Sequence, residues 1–174
     1  MIKLNLLSIF LLFSIVISAQ ENNQESTSVQ EPKSFITSHQ IINGGKNISY
    51  KAIASETYLK NKSNEPVASI WSVAYIQEGT IDQKKRPVTF VFNGGPGSAS
   101  MWLHMGLFGP EVIKVDSDAK EDDGAAPYNL VNNKNGLLDL TDIVFIDPVG
   151  TGYSRVIGKG KVEDYWGLNE DAAS

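Results

Sequence analysis

Two kinds of apolar pattern divide the chain. In IINGGKNISYKAIAS, Ile48, Tyr50, Ala52 and Ala54 alternate with polar neighbours, and Asn43, Gly44 and Gly45 separate this run from the one before it. Period-two alternation broken by turn residues predicts antiparallel strands with one face toward a core. A polar loop, KNKSNEP, leads into VASIWSVAYI, which is apolar on both faces and is closed by Gly79 and Asp82. The later runs VTFVF (88–92) and DIVFID (142–147) are short and almost continuously apolar. That is the pattern of parallel strands covered on both faces by helices. Between them, residues 98–108 predict a helix stopped by Gly109 and Pro110, and residues 116–136 an acidic loop rich in Gly and Asn. The order is that of an α/β protein: hairpins, then a strand–helix–strand crossover. Residues 169–174 predict the capped start of a further helix.

The amino terminus changes the picture. MIKLNLLSIFLLFSIVISAQ has one basic residue, Lys3, an apolar stretch, and small Ser18 and Ala19 before a polar continuation. Residues 1–19 therefore predict a signal peptide cleaved after Ala19, and a secreted or periplasmic product. The uninterrupted apolar run is shorter than the roughly 20 residues of a spanning helix. Residues 20–37 hold too little apolar material to offset their ordering entropy and predict a disordered polar leader. Residues 38–174 are expected to be the N-terminal part of a single domain.

Charge and composition remove several functions. The chain has 15 Lys and Arg against 20 Asp and Glu; without Lys3 the balance is 14 against 20, a net charge of −6. This argues against nucleic acid, whose phosphates need clustered cations. The cluster Lys84, Lys85 and Arg86 reads as a solvated loop or a strand gatekeeper. With no cysteine, disulfides, thiolate metal sites and cysteine nucleophiles are excluded. The acidic run at Asp116, Asp118, Glu121, Asp122 and Asp123 fails the calcium-loop spacing and reads as a solvated loop.

The chemistry concentrates in VFNGGPGSAS, residues 91–100. A glycine-rich turn between a strand and a helix exposes backbone N–H groups beyond the strand's carboxyl end. Gly94 and Gly95 can take positive φ, and Ser98 can cap the following helix, whose positive end faces the same place. This makes an anion hole, or else a tight structural turn. A phosphate loop would need a lysine, absent between Gly94 and Glu111, and a dinucleotide fingerprint would need glycine where Ser100 stands. An oxyanion hole for acyl transfer remains.

Three ordered motifs, PVTFVFNGGPGSAS, LFGPEVI and DIVFIDPVGTGYS, resemble the serine carboxypeptidase family. The resemblance covers about residues 39–174. It implies an α/β-hydrolase fold, here incomplete, with the amino-terminal antiparallel strands and the first parallel strands of the central sheet. It implies removal of carboxyl-terminal residues from peptides, without a cofactor or metal. It makes the Gly95 N–H one oxyanion donor and makes Asn93 and Gly94 hydrogen-bond the free carboxylate of a peptide substrate. Ser98 stands where the eukaryotic branch has Cys, and Asp147-Pro148 lacks an intervening Gln, which points to a bacterial-type branch.

The nucleophile expected in Gly-x-Ser-x-Gly, with Asp and His after it, has no counterpart here. GYSRV has Val156 in place of the second glycine, so Ser154 reads as part of a structural turn anchored by Asp147. His39 reads as a surface residue and His104 as a packed one. The chain is thus expected to be the amino-terminal part of a carboxypeptidase, inactive by itself. The alternatives are another secreted α/β hydrolase, such as a prolyl aminopeptidase or esterase, or a non-catalytic peptide-binding module. Asn47-Ile48-Ser49 and Asn61-Lys62-Ser63 match the glycosylation pattern.

Overall fold

The alternating run after Gly45 forms the long strand of a hairpin. In the computed structural model, which describes residues 29–79, 82–94, 97–115, 126–167 and 169–170, β1 (Ser34–Asn43) pairs antiparallel with β2 (Lys46–Lys60). Gly44 and Gly45 close it at φ +56° and +77°. Two left-handed residues give the turn the twist of its strands, so glycine is the residue that fits. The alternation puts Ile41, Ile48 and Tyr50 on one buried face, against Leu138. Each such burial contributes roughly 1.5–3 kcal/mol.

Strand β3 (Pro66–Gln77) organises the rest. One edge pairs with β2; the other pairs antiparallel with β7 (Asp142–Ile146) at Ser72–Tyr75 and with β8 (Arg155–Val156) at Ala68 and Ser69. β4 (Val88–Val91) pairs parallel with β7, giving a mixed sheet in the order β1-β2-β3-β7-β4. A second hairpin joins β5 (Glu111–Lys114) to β6 (Asn129–Asn132). Tyr75 packs against both core clusters, the Ile41–Leu138 group and the group of Val91, Ile143 and Phe145.

Several expectations change. β1 begins at Ser34, inside the segment read as a disordered leader, because the 15-residue β2 continues past the hairpin's apolar part and offers backbone partners to Ser34–Thr37. The helix over 98–108 shrinks to α1 (Met101–Leu103) followed by a π-helical turn, His104–Phe108. Gly109 N–H bonds the His104 carbonyl, and the Asn133 amide takes the carbonyls of Leu107 and Gly109, so this end is held by a neighbouring loop. Part of the predicted 116–136 loop is strand β6. Nor is the pair of parallel strands covered on both faces among the described residues: Val88 and Phe90 of β4 are 48% and 61% exposed.

Arg86 departs furthest from its reading as a solvated loop. Its side chain is 8% exposed and its Nε lies 2.7 Å from Asp142 Oδ1, while Nη2 donates to the Leu138 carbonyl. The neighbouring Lys84 and Lys85 are exposed, as a solvated cluster predicts. The expected signal peptide and most of the expected leader lie outside the described residues, as do Gly95 and the acidic residues at 116, 118 and 121–123. Asn169 and Glu170 are helical, and 171–174 also lie outside. No helix among the described residues is long and apolar enough to cross a membrane.

Candidate functional site

β4 and β7 run parallel, so the segments leaving their carboxyl ends lie together: 92–94 and 97–100 after β4, and 147–154 after β7. One carboxylate joins them. Asp147 Oδ1 accepts the Ser100 N–H at 2.9 Å, and Oδ2 accepts the Tyr153 N–H at 3.3 Å. Gly152, at φ +50°, is required beside it, since a β-carbon there would overlap the carboxylate. The Ser100 hydroxyl donates to the Ile146 carbonyl and accepts the Asn93 N–H at 3.3 Å. The expected anchoring of the 148–154 turn by Asp147 is therefore present and extends to the glycine turn.

Within that turn, Gly97 has φ +81°, the left-handed conformation that favours glycine. Gly94 does not: its φ is not positive and nothing lies within 4 Å of the position a β-carbon would take. Neither conformation nor described packing demands glycine there, which leaves open space beside an exposed backbone. Asn93 is half-buried, and its Nδ2 donates to Ser98 Oγ at 2.5 Å. Ser98 is thus not the helix cap. Ser100 precedes α1 but makes no side-chain cap bond, its hydroxyl being committed to Ile146 and Asn93.

The hydroxyl of Ser154 is spent structurally. It is buried, accepts the Trp71 N–H at 2.7 Å and donates to the Asp147 carbonyl at 2.7 Å, joining the 147–154 turn to β3. His39 is exposed, bonded to Thr37 Oγ1 at 2.7 Å and stacked on Tyr50. His104 is stacked on Phe145 at 4.3 Å between centroids, and its Nε2 lies 2.6 Å from the Tyr75 hydroxyl. Burial holds the His104 pKa below the ordinary imidazole value, with the Asp147 charge opposing that shift. Burial raises the Tyr75 phenol well above its usual range, with smaller contributions from Tyr50 and Glu111. The hydrogen-bonded pair packs against Phe145. Tyr75 carried no sequence signal beyond its place in an apolar strand. Among the described residues no cluster of His, Cys, Asp and Glu could hold a metal ion.

Sequence comparison places this arrangement in a class. The serine carboxypeptidase profile matches residues 57–165, which is more than half of the chain. The chain belongs to the serine carboxypeptidase family. No curated protein matches it. Among solved structures it is similar to Kex1Δp, a prohormone-processing carboxypeptidase from Saccharomyces cerevisiae, at 21% identity and a TM-score of 0.45, covering 68% of this chain and 23% of that one. The chain thus spans about a quarter of the length of the carboxypeptidase it matches.

Proposed function

We propose that this chain is the substrate-carboxylate and oxyanion portion of an exported serine-type carboxypeptidase with an α/β-hydrolase sheet, acting on peptides with a free carboxyl end through an acyl-enzyme. The observation that carries the reading is the pairing of an open Gly94 backbone with the fixed Asn93 carboxamide at the carboxyl ends of two parallel strands. Asn93 Nδ2 and the Gly94 N–H are the donors for the substrate's terminal carboxylate. The Gly95 N–H donates to the oxyanion as the scissile carbonyl becomes tetrahedral, with a second donor next to the nucleophile. Among the described residues the hydroxyls of Ser100 and Ser154 are engaged structurally, and the sequence carries no Gly-x-Ser-x-Gly that would present a nucleophile.

The test compares N-acyl dipeptides with their carboxyl-terminal amides as substrates of the full-length gene product. A hydrogen bond to a charged group contributes roughly 1.5–3 kcal/mol. Asn93→Ala is therefore expected to lower kcat/KM for the acids by about ten- to a hundredfold and to spare the amides. Gly95→Val is the control and lowers both alike, because every substrate forms the oxyanion. Equal losses on acid and amide in Asn93→Ala, or no turnover of free-acid peptides by the wild type, sink the reading.

A further inference from the structure

Ser98 follows the glycine turn by one residue, and its hydroxyl faces back into the turn rather than toward the helix. Gly97, at φ +81°, reverses the chain so that Ser98 Oγ meets Asn93 Nδ2 at 2.5 Å across five residues. A free asparagine carboxamide rotates about its last torsion with little preference, so its two donors point nowhere in particular. An acceptor on one of the Nδ2 hydrogens removes that freedom and leaves the second hydrogen in a set direction. Meanwhile the Asn93 backbone is held by Ser100 Oγ, which is itself tied to Ile146 and, through its N–H, to Asp147. Asn93 is therefore fixed twice, its main chain by Ser100 and its side chain by Ser98.

We infer that Ser98 is a positioning residue that sets specificity for the free carboxylate: its hydroxyl orients the Asn93 carboxamide so that the remaining Nδ2 hydrogen meets the substrate's terminal carboxylate. The inference rests on the carboxylate-binding role proposed for Asn93. It assigns Ser98 no contact with substrate. The benefit is preorganisation, since the rotamer is ordered before the ligand arrives. Its signature is a change in acid-over-amide selectivity rather than in binding of the peptide as a whole.

The experiment measures dissociation constants of a non-hydrolysed N-acetyl dipeptide and its amide with the full-length gene product, by titration calorimetry. Ser98→Ala is expected to lower the acid-over-amide affinity ratio about three- to tenfold, the size of one neutral hydrogen bond. Ser98→Thr keeps the hydroxyl and is expected to restore most of the ratio. Combining Ser98→Ala with Asn93→Ala is expected to add nothing to the loss from Asn93→Ala alone. If Asn93→Ala lowers the ratio and Ser98→Ala leaves it unchanged, the role of Ser98 is overturned and the carboxylate reading stands. If Asn93→Ala leaves the ratio unchanged, the carboxylate reading falls and takes Ser98 with it. A measurement on the wild type needs no variant: one Asn93 Nδ2 proton should exchange with solvent more slowly than the other in amide NMR spectra, and equal, fast exchange of both overturns the inference.

Discussion

An aspartate opens β7 and another follows its last residue, and they are used in opposite ways. At the amino end, Asp142 Oδ1 takes the Arg86 guanidinium at 2.7 Å and the Gln77 N–H at 2.9 Å, with both charged side chains under a tenth exposed. At the carboxyl end, Asp147 takes two backbone N–H groups from two turns, and among the described residues no Lys or Arg pairs with it. A charge balanced by a charge ties one end of the sheet together. A charge balanced by N–H dipoles clamps two loops while leaving their outer backbone free. The difference separates the part of the sheet that provides stability from the part that carries the proposed carboxylate site.

The largest expected effect comes from breaking the closed end. Arg86→Ala strands Asp142 in a buried site, and removal of one partner of a buried pair costs about 3–5 kcal/mol. Denaturant midpoints should show this loss, while the acid-over-amide selectivity of whatever remains folded is unaltered. A selectivity change in Arg86→Ala would mean that the two ends are not separate.

Next comes the clamp. Asp147→Ala leaves the Ser100 and Tyr153 N–H groups without their acceptor, a cost of about 1–3 kcal/mol, and frees the segment that carries Asn93. Stability and the acid-over-amide ratio should fall together, with Asp147→Asn, which keeps one acceptor oxygen, losing less of both. Loss of stability alone would reduce Asp147 to a counterpart of Asp142.

The smallest effect is a pH dependence at the carboxyl end. The folded His104 has its pKa lowered by burial, so the unfolded chain binds a proton at a pH where the folded chain does not. The contribution to stability is full above the unfolded value of about 6.5 and is lost as pH falls from there through the lowered folded value. Melting temperatures between pH 7.5 and 5 should decline for wild type and decline less for His104→Gln. Equal slopes would show that His104 is not held neutral by its packing against Tyr75 and Phe145.

Much of the fold was legible, for reasons that can be stated residue by residue. The alternation of Ile48, Tyr50 and Ala52 with polar neighbours reports one buried face, and Gly44-Gly45 is a turn that few other pairs can make. DIVFI is apolar because β7 is an inner strand flanked by β3 and β4. The position of the candidate site was legible too, because a glycine-rich turn after an apolar strand is a local feature. Its wiring was not. Ser98 looked like a helix cap because sequence shows that a hydroxyl precedes a helical run, and not that Gly97 turns it back onto Asn93. Arg86 looked solvated because its partner is 56 residues away.

What the sequence by itself determined is therefore what local physics can encode: period-two burial, turns that need glycine, the absence of cysteine chemistry, and the ordered motifs of the family. The tertiary structure decided the rest. It extended β1 into a polar segment because β2 offered it partners, and it cut a predicted helix to a single turn and a π-helical turn as neighbouring loops took its carbonyls. It also gave Asp142, the first residue of β7, and Asp147, the residue just after that strand, different work. The physical reason is common to all three. A backbone or charged group must be satisfied wherever the chain buries it, and its partner is chosen by the fold, across distances in sequence that no local pattern records.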